Sequence, residues 1–352
     1  MKLKLFKIKR MALFLITIVI MLTGCGNNTK IVLTSGFQEG EIFRIDDTCC
    51  FDKEAYVYLS NIENQYSELF GEEIWNTTHK GVSLEDNVRN SVLGRLTKVK
   101  MMDILANELE IELSSEDLSL VKKAAKEYYN SLNSETISKM GELKEADVKK
   151  MYEDYALASK VYNQITSDVD EEVSDDEART VILKRISFSY NYCDDSGNEI
   201  ALIDAAKEEK RNQAEAVRNA ILEGADFLEM LIENSDSEDE ELFYKKGELS
   251  REIEDAVFML GTNEITSVLD DGTSYNIYYC VNPNDSSRTD GTKAEIVKKR
   301  KKDAFDQIYN EFSKDKKCYL NQSVWDEIRI STCPQVDSDF FQIYDNYFVS
   351  TH

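Results

Sequence analysis

Residues 181–192 read VILKRISFSYNY and residues 274–281 read SYNIYYCV. Both runs are β-branched and aromatic, the composition of strands. Between them the period changes. Residues 205–222 are strongly charged with Ala214, Val217 and Ile221 on one side, which predicts a helix. It closes at Gly224, where a glycine takes the left-handed turn that other residues resist. Residues 226–234 predict a short helix, residues 235–241 an acidic loop, and residues 253–260 another short helix ended by Gly261. Residues 265–269 predict a strand joined to 274–281 through Asp271-Gly272, a strong hairpin signal, and Asp195-Ser196-Gly197-Asn198 predicts a turn. The order is strand, helix, short helix, loop, helix, strand, strand.

Outward from this block the chain is helical. Residues 168–176 (DVDEEVSDD) form an acidic linker. Before it, residues 41–45 alternate like a short strand, and Asp52 is the expected N-cap of a helix over 53–69. Ser83-x-x-Asp86 and Ser114-x-x-Asp117 resemble capping boxes that open helices over 83–109 and 114–132. Residues 144–165 predict a fourth helix, with Val148, Met151, Tyr155, Ala158 and Val161 to one side. After the block, residues 284–291 form a polar loop and residues 293–314 a long basic-rich helix, and Trp325, Ile328 and Ile330 lie in a short extended piece. The residues after Pro334 are aromatic without a periodic pattern and receive no element.

The start of the chain addresses its destination. Lys2, Lys4, Lys7, Lys9 and Arg10 precede an unbroken apolar run at 11–22 (MALFLITIVIML). A basic n-region and a short apolar core predict a secretory signal peptide over 1–24. The run falls short of the about 20 residues a bilayer span needs. Leu22-Thr23-Gly24-Cys25 resembles the bacterial lipobox, which implies acylation at Cys25 and a lipid anchor on the extracytoplasmic side of the cell membrane. Two or more acyl chains anchor stably at about 0.8 kcal/mol per buried CH₂. Residues 25–40 are polar and Gly-containing, the expected tether. The 352 residues are enough for two domains, and two prolines with 31% charged residues indicate a helix-rich protein. A formal net charge of −25, which includes the basic leader, excludes nucleic acid as a partner, because phosphate contacts need Lys and Arg.

Six cysteines follow Cys25: Cys49, Cys50, Cys193, Cys280, Cys318 and Cys333. An even count in an exported chain permits disulfides. The spacing is irregular, no CxxC occurs, and His79 and His352 are the only histidines, so no metal site is expected.

The central block is similar to a parvulin-type peptidyl-prolyl isomerase domain. Gly224-Ala225-Asp226-Phe227, Ser235-Asp236, Gly247-Glu248-Leu249, residues 253–260 (IEDAVFML), Asn263-Glu264-Ile265-Thr266 and Tyr275-Asn276-Ile277 carry the resemblance. Residues 106–116 and 140–165 resemble the helical N-terminal region of SurA- and PrsA-like foldases. The resemblance implies an α+β, mostly helical fold. A SurA N-terminal-like region at 41–170 and a return helix and strand at 292–331 would form a chaperone module. A parvulin-like domain at 177–283, a small antiparallel sheet flanked by helices, would be inserted between them, with 332–352 as a tail. The family carries one histidine on the first strand and one on the last. Here the first position falls on Arg185 or its neighbour within Lys184-Arg185-Ile186, the second on Asn276, and the family's Cys or Asp after Ser-Asp is Ser237. Neither Arg nor Asn titrates near neutral pH as histidine does. Leu249, Ile253 and Phe258 remain as substrate-pocket or core residues, with Ile253 where an aromatic is common.

Proline isomerisation makes no covalent bond to the catalyst. It needs the X–Pro amide twisted and desolvated against a barrier of about 20 kcal/mol. The expectation is therefore a membrane-anchored extracytoplasmic folding factor with a degenerate catalytic site. Its partners are unfolded or nascent exported polypeptides and the membrane, with no cofactor and no metal. Two rivals stand beside it. One is an active isomerase with an atypical site. The other is a surface interaction or solute-binding lipoprotein.

Overall fold

The strand Lys317–Leu320 lies inside a sheet whose other three strands come from the start of the chain. The computed structural model describes residues 30–33, 36–193, 199–201, 203–237 and 241–349. The expected signal segment 1–24 and Cys25 lie outside them. The fold is α+β and mostly helical. It divides into two units, one of residues up to Asp168 and from Asp303 onward, the other of Val169–Lys302. Among the described residues no helix is long and apolar enough to cross a membrane.

In the first unit the sheet runs Lys30–Leu33, Lys317–Leu320, Glu41–Ile45, Thr48–Phe51. Lys30–Leu33 pairs parallel to the C-terminal strand, so part of the expected tether is an edge strand. The helix Asp52–Phe70 follows, but its N-cap is Phe51, whose N–H donates to Glu54 Oε1 at 3.1 Å. Asp52 instead sits in the first turn and accepts from the Lys53 N–H. Ser83 caps Leu84–Glu108 by accepting the Asp86 N–H at 3.0 Å. Ser114 and Asp117 exchange two bonds that open Ser115–Ser131. Glu145–Ile165 is the fourth long helix, and a short one, Ser134–Lys139, precedes it.

The apolar stripes of these helices share one core with Phe305, Tyr309, Cys318, Leu320, Ile328 and Ile330. Trp325 lies on a short helix, Gln322–Glu327, not in an extended piece, because the strand of this segment lies earlier, at 317–320. The tail is also structured. Asp339 caps the helix Phe340–Phe348, accepting from the Phe341 and Gln342 N–H groups. Phe340 is fully buried, and its ring stacks on Tyr152 at 4.0 Å.

The second unit holds a four-stranded antiparallel sheet ordered Leu269–Asp270, Ser274–Asn282, Thr180–Ser189, Leu242–Lys245. The last is an edge strand that the sequence reading left out. The strand expected at 265–269 shrinks to its end, preceded by a single bridge between Ile265 and Tyr279. Helices Asp204–Leu222, Phe227–Asn234 and Arg251–Phe258 lie where expected, and Gly224 has φ +111. The long helix begins at Ser286, inside the expected loop, because Asp285 accepts the Ser287 N–H and hydroxyl. The acidic linker runs along that helix, with Arg300 donating to the Asp170 and Glu172 carbonyls and to both Glu177 carboxylate oxygens. The five cysteines whose side chains are described, Cys49, Cys50, Cys280, Cys318 and Cys333, are free thiols.

Candidate functional site

Alternation along the two central strands of the second unit separates two sheet faces. Ile186, Phe188, Tyr190, Tyr275 and Ile277 point to one face and pack on Ala214, Val217 and Phe227. Val181, Leu183, Tyr278 and Cys280 point to the other and pack on Ile253, Val257 and Phe258, with Leu249 at the border. Arg185 and Asn276 belong to this second face. Arg185 lies opposite Tyr278 and Asn276 opposite Ser187, which makes Arg185 and Asn276 diagonal neighbours across the pair.

The polar half of the face is committed internally. Asn276 is fully buried. Its Nδ2 donates to Asp271 Oδ2 at 2.9 Å, to Ser274 Oγ at 3.0 Å and to the Ser274 carbonyl at 3.1 Å. Asp271 also accepts from the Thr273 and Ser274 N–H groups, which closes the hairpin turn. Burial raises the Asp271 pKa, and the Thr273 and Ser274 donors outweigh it, so the carboxyl stays below its usual value. The Arg185 guanidinium acts on the Tyr278 hydroxyl through its charge. Burial pushes that hydroxyl up to about 12, against the opposing pull of Arg185.

Ser235, Asp236 and Ser237 open the acidic loop at the edge of the strand Thr180–Ser189. Asp236 donates its N–H to the Ser187 carbonyl at 2.8 Å and accepts the Ser189 N–H at 2.9 Å and Lys210 Nζ at 2.8 Å. The Ser237 N–H donates to Ser235 Oγ. Residues 238–240 of the acidic loop lie outside the described residues.

The apolar half is packed. Ile253 and Phe258 are buried together with Val181, Leu183 and Val257. The Phe258 ring lies under Arg179, whose Cζ is 5.1 Å from its centroid and whose Nη2 donates to the Phe258 carbonyl. The structure therefore brings Leu249, Ile253 and Phe258 into one cluster, and sets Arg185 and Asn276 on the same face beyond it. His79 is exposed in the first unit, and His352 lies outside the described residues. Tyr278, Asp271 and Ser274 complete this face, and the sequence reading gave them no role there. Tyr278 had a signal, since it stands two residues beyond Asn276 and shares its face. Among the described residues, no group of His, Cys, Asp and Glu side chains is placed to hold a metal ion.

No protein-family model and no curated protein matches the sequence. Among solved structures the chain is similar to a peptidylprolyl isomerase, PrsA, from Bacillus cereus. That match has 14% identity and a TM-score of 0.38 over 77% of this chain and 97% of the other. It is also similar to PrsA from Bacillus anthracis, at 19% identity and TM-score 0.30 over 66% and 96%. A SurA-like chaperone from Campylobacter jejuni aligns at 12% identity and TM-score 0.28 over 80% and 98%.

Proposed function

We propose that the chain is a membrane-anchored extracytoplasmic folding factor that binds unfolded exported polypeptides, with a parvulin-like unit whose catalytic face is degenerate. The observation that carries the second half is the state of Asn276. A catalytic group on this face must reach the substrate amide, yet every donor of the Asn276 amide is engaged by Asp271 and Ser274 beneath a fully buried surface. Arg185, always charged, opposes the dry apolar cup that twisting an X–Pro bond requires. The lipobox-like Leu22-Thr23-Gly24-Cys25 and the strongly acidic composition support a tethered, soluble body. The parvulin-like and SurA-like sequence stretches support client binding.

Two measurements test this. In a proline-peptide isomerisation assay the purified protein should give negligible acceleration while suppressing aggregation of an unfolded client. Arg185→Ala should leave the suppression nearly unchanged. Acceleration well above background, abolished by Arg185→Ala or Asn276→Ala, would replace this reading with that of an atypical isomerase. For the anchor, Cys25→Ser should move the protein from the membrane fraction to the soluble fraction. An unchanged distribution would remove the lipid anchor from the proposal.

A further inference from the structure

In the helical unit, the turn Glu72–Asn76 and the segment 330–335 border a cleft of about 470 Å³. Glu63, Glu72, Trp75, Glu85, Ile330 and Cys333 contribute to its wall. Glu63 stands on the helix Asp52–Phe70 and is only 6% exposed. Its Oε1 accepts the Ser67 hydroxyl at 2.8 Å, and its Oε2, equally buried, has no hydrogen-bond partner among the described residues. A buried carboxylate oxygen without a donor is costly. Burial first, and the charge of Glu72 second, raise the Glu63 pKa.

Neighbouring cations do not relieve it. Arg89 and Arg329 both pair with Asp86. Glu85 accepts the Ile330 N–H at 3.1 Å, and Glu72 is exposed. The wall thus presents three carboxylates, none in a salt bridge among the described residues, and only Glu85 feels the charge of Arg89.

The aromatic side of the cleft is fixed to the acidic side. Ser67 Oγ donates to Glu63 and accepts the Trp75 indole N–H at 3.0 Å, so one hydroxyl sets both groups. Trp75 lies against Tyr66 at 5.6 Å, and Tyr66 against Phe70 at 6.0 Å. Phe70 is 60% exposed. An indole face beside a carboxylate suits a planar organic cation, which stacks on one and donates to the other. The described residues around it form no metal-binding group, so a compact metal ion does not fit the donor set. The aromatic run from Trp75 to exposed Phe70 extends the surface beyond the cation site, which favours a chain over a small free cation.

We propose that this cleft captures an arginine or lysine side chain of an extended polypeptide whose apolar neighbour lies along Tyr66 and Phe70. The proposal rests on the reading of the protein as a folding factor. The test uses the full chain in mild detergent and a dye-labelled hexapeptide with one arginine flanked by phenylalanine and leucine. Its counterpart carries citrulline, which keeps the shape and loses the charge. Fluorescence anisotropy should show the arginine peptide binding about tenfold tighter. Glu63→Gln should erase that preference while leaving the thermal midpoint unchanged or higher. Should Glu63→Gln not fold, Trp75→Leu should weaken the arginine peptide instead.

Equal binding of the two peptides overturns the proposal, as does a preference that survives in the folded variant. Displacement by N-acetyl-arginine amide as readily as by unlabelled peptide also overturns it, in favour of a small-molecule site. A parallel light-scattering assay on an unfolded client separates the two readings. Suppressed aggregation without arginine preference removes this inference alone. Arginine preference without suppression removes the folding-factor reading.

Discussion

Lys100 carries its ammonium into the core of the helical unit, where Nζ lies 2.7 Å from Glu54 Oε2 and 2.7 Å from Asp154 Oδ2. Asp154 also takes Lys150 from the surface side. Asp103 is the odd acid of this group. Burial first, then the charge of Asp154, pushes its carboxyl up to about 8. Between its ordinary value near 4 and that value the folded chain holds a proton that the unfolded chain has lost. Folding stability contributed by this site therefore falls as pH rises from about 4 to about 8, and is flat beyond. Asp103→Asn, which mimics the protonated acid, should match the parent near pH 4 and exceed its thermal midpoint by about 10 °C at pH 8. Parallel curves of midpoint against pH, followed by circular dichroism, would show that Asp103 is ionised in the fold. At this scale the sequence was partly legible. The family resemblance assigned Arg185 to the first strand and Asn276 to the last, and the structure pairs those two strands. The resemblance did not reveal that Asn276 is spent on Asp271, because a side chain's choice between a substrate and its own turn depends on a 2.9 Å contact.

The helix Phe340–Phe348 shows what an element needs to be read. Nine residues make two and a half turns, too few for a 3.6-residue period to emerge from a stretch that is mostly aromatic. Its buried residues, Phe340, Phe341, Ile343 and Tyr344, nevertheless keep helical spacing, and Asp339 caps them. Long helices announced themselves because capping serines and several turns agreed. The strand Leu242–Lys245 was missed for the same reason as the tail: four residues beside an acidic loop carry little pattern. The tail's burial makes it structural. Phe340 stacks on Tyr152, meets Tyr128 edge-on at 5.4 Å, donates its N–H to Asn61 and accepts the Tyr152 hydroxyl. Phe340→Ala should cost about 3–5 kcal/mol by opening a cavity among these rings. Urea titration should show a lower midpoint with little change in slope. A loss below about 1 kcal/mol would mean that the tail docks too weakly to matter.

At the scale of the whole molecule, the helical unit is written in two pieces. The acidic run at 168–176 marked the first junction in the sequence, since charge without apolar partners has no core to enter. The second junction was hidden, because the helix Ser286–Ser313 runs through it without a break. What no local pattern encodes is the sheet order. Lys317–Leu320 lies between Lys30–Leu33 and Glu41–Ile45, parallel to one and antiparallel to the other. Removing the C-terminal segment would leave Glu41–Ile45 with an unpaired edge and would open the core at Phe305, Tyr309 and Trp325. The inserted unit owes its own stability to two separate apolar clusters on either side of its sheet. Replacing residues 169–302 with a flexible Gly/Ser linker should therefore leave a protein that melts in one cooperative transition. A chain ending at residue 168 should show no such transition and should expose its apolar stripes to a hydrophobic dye. Residues 169–302 alone should melt independently. If the chain ending at 168 melts as sharply as the linked version, the C-terminal segment is dispensable, and the two-piece construction of the helical unit is wrong.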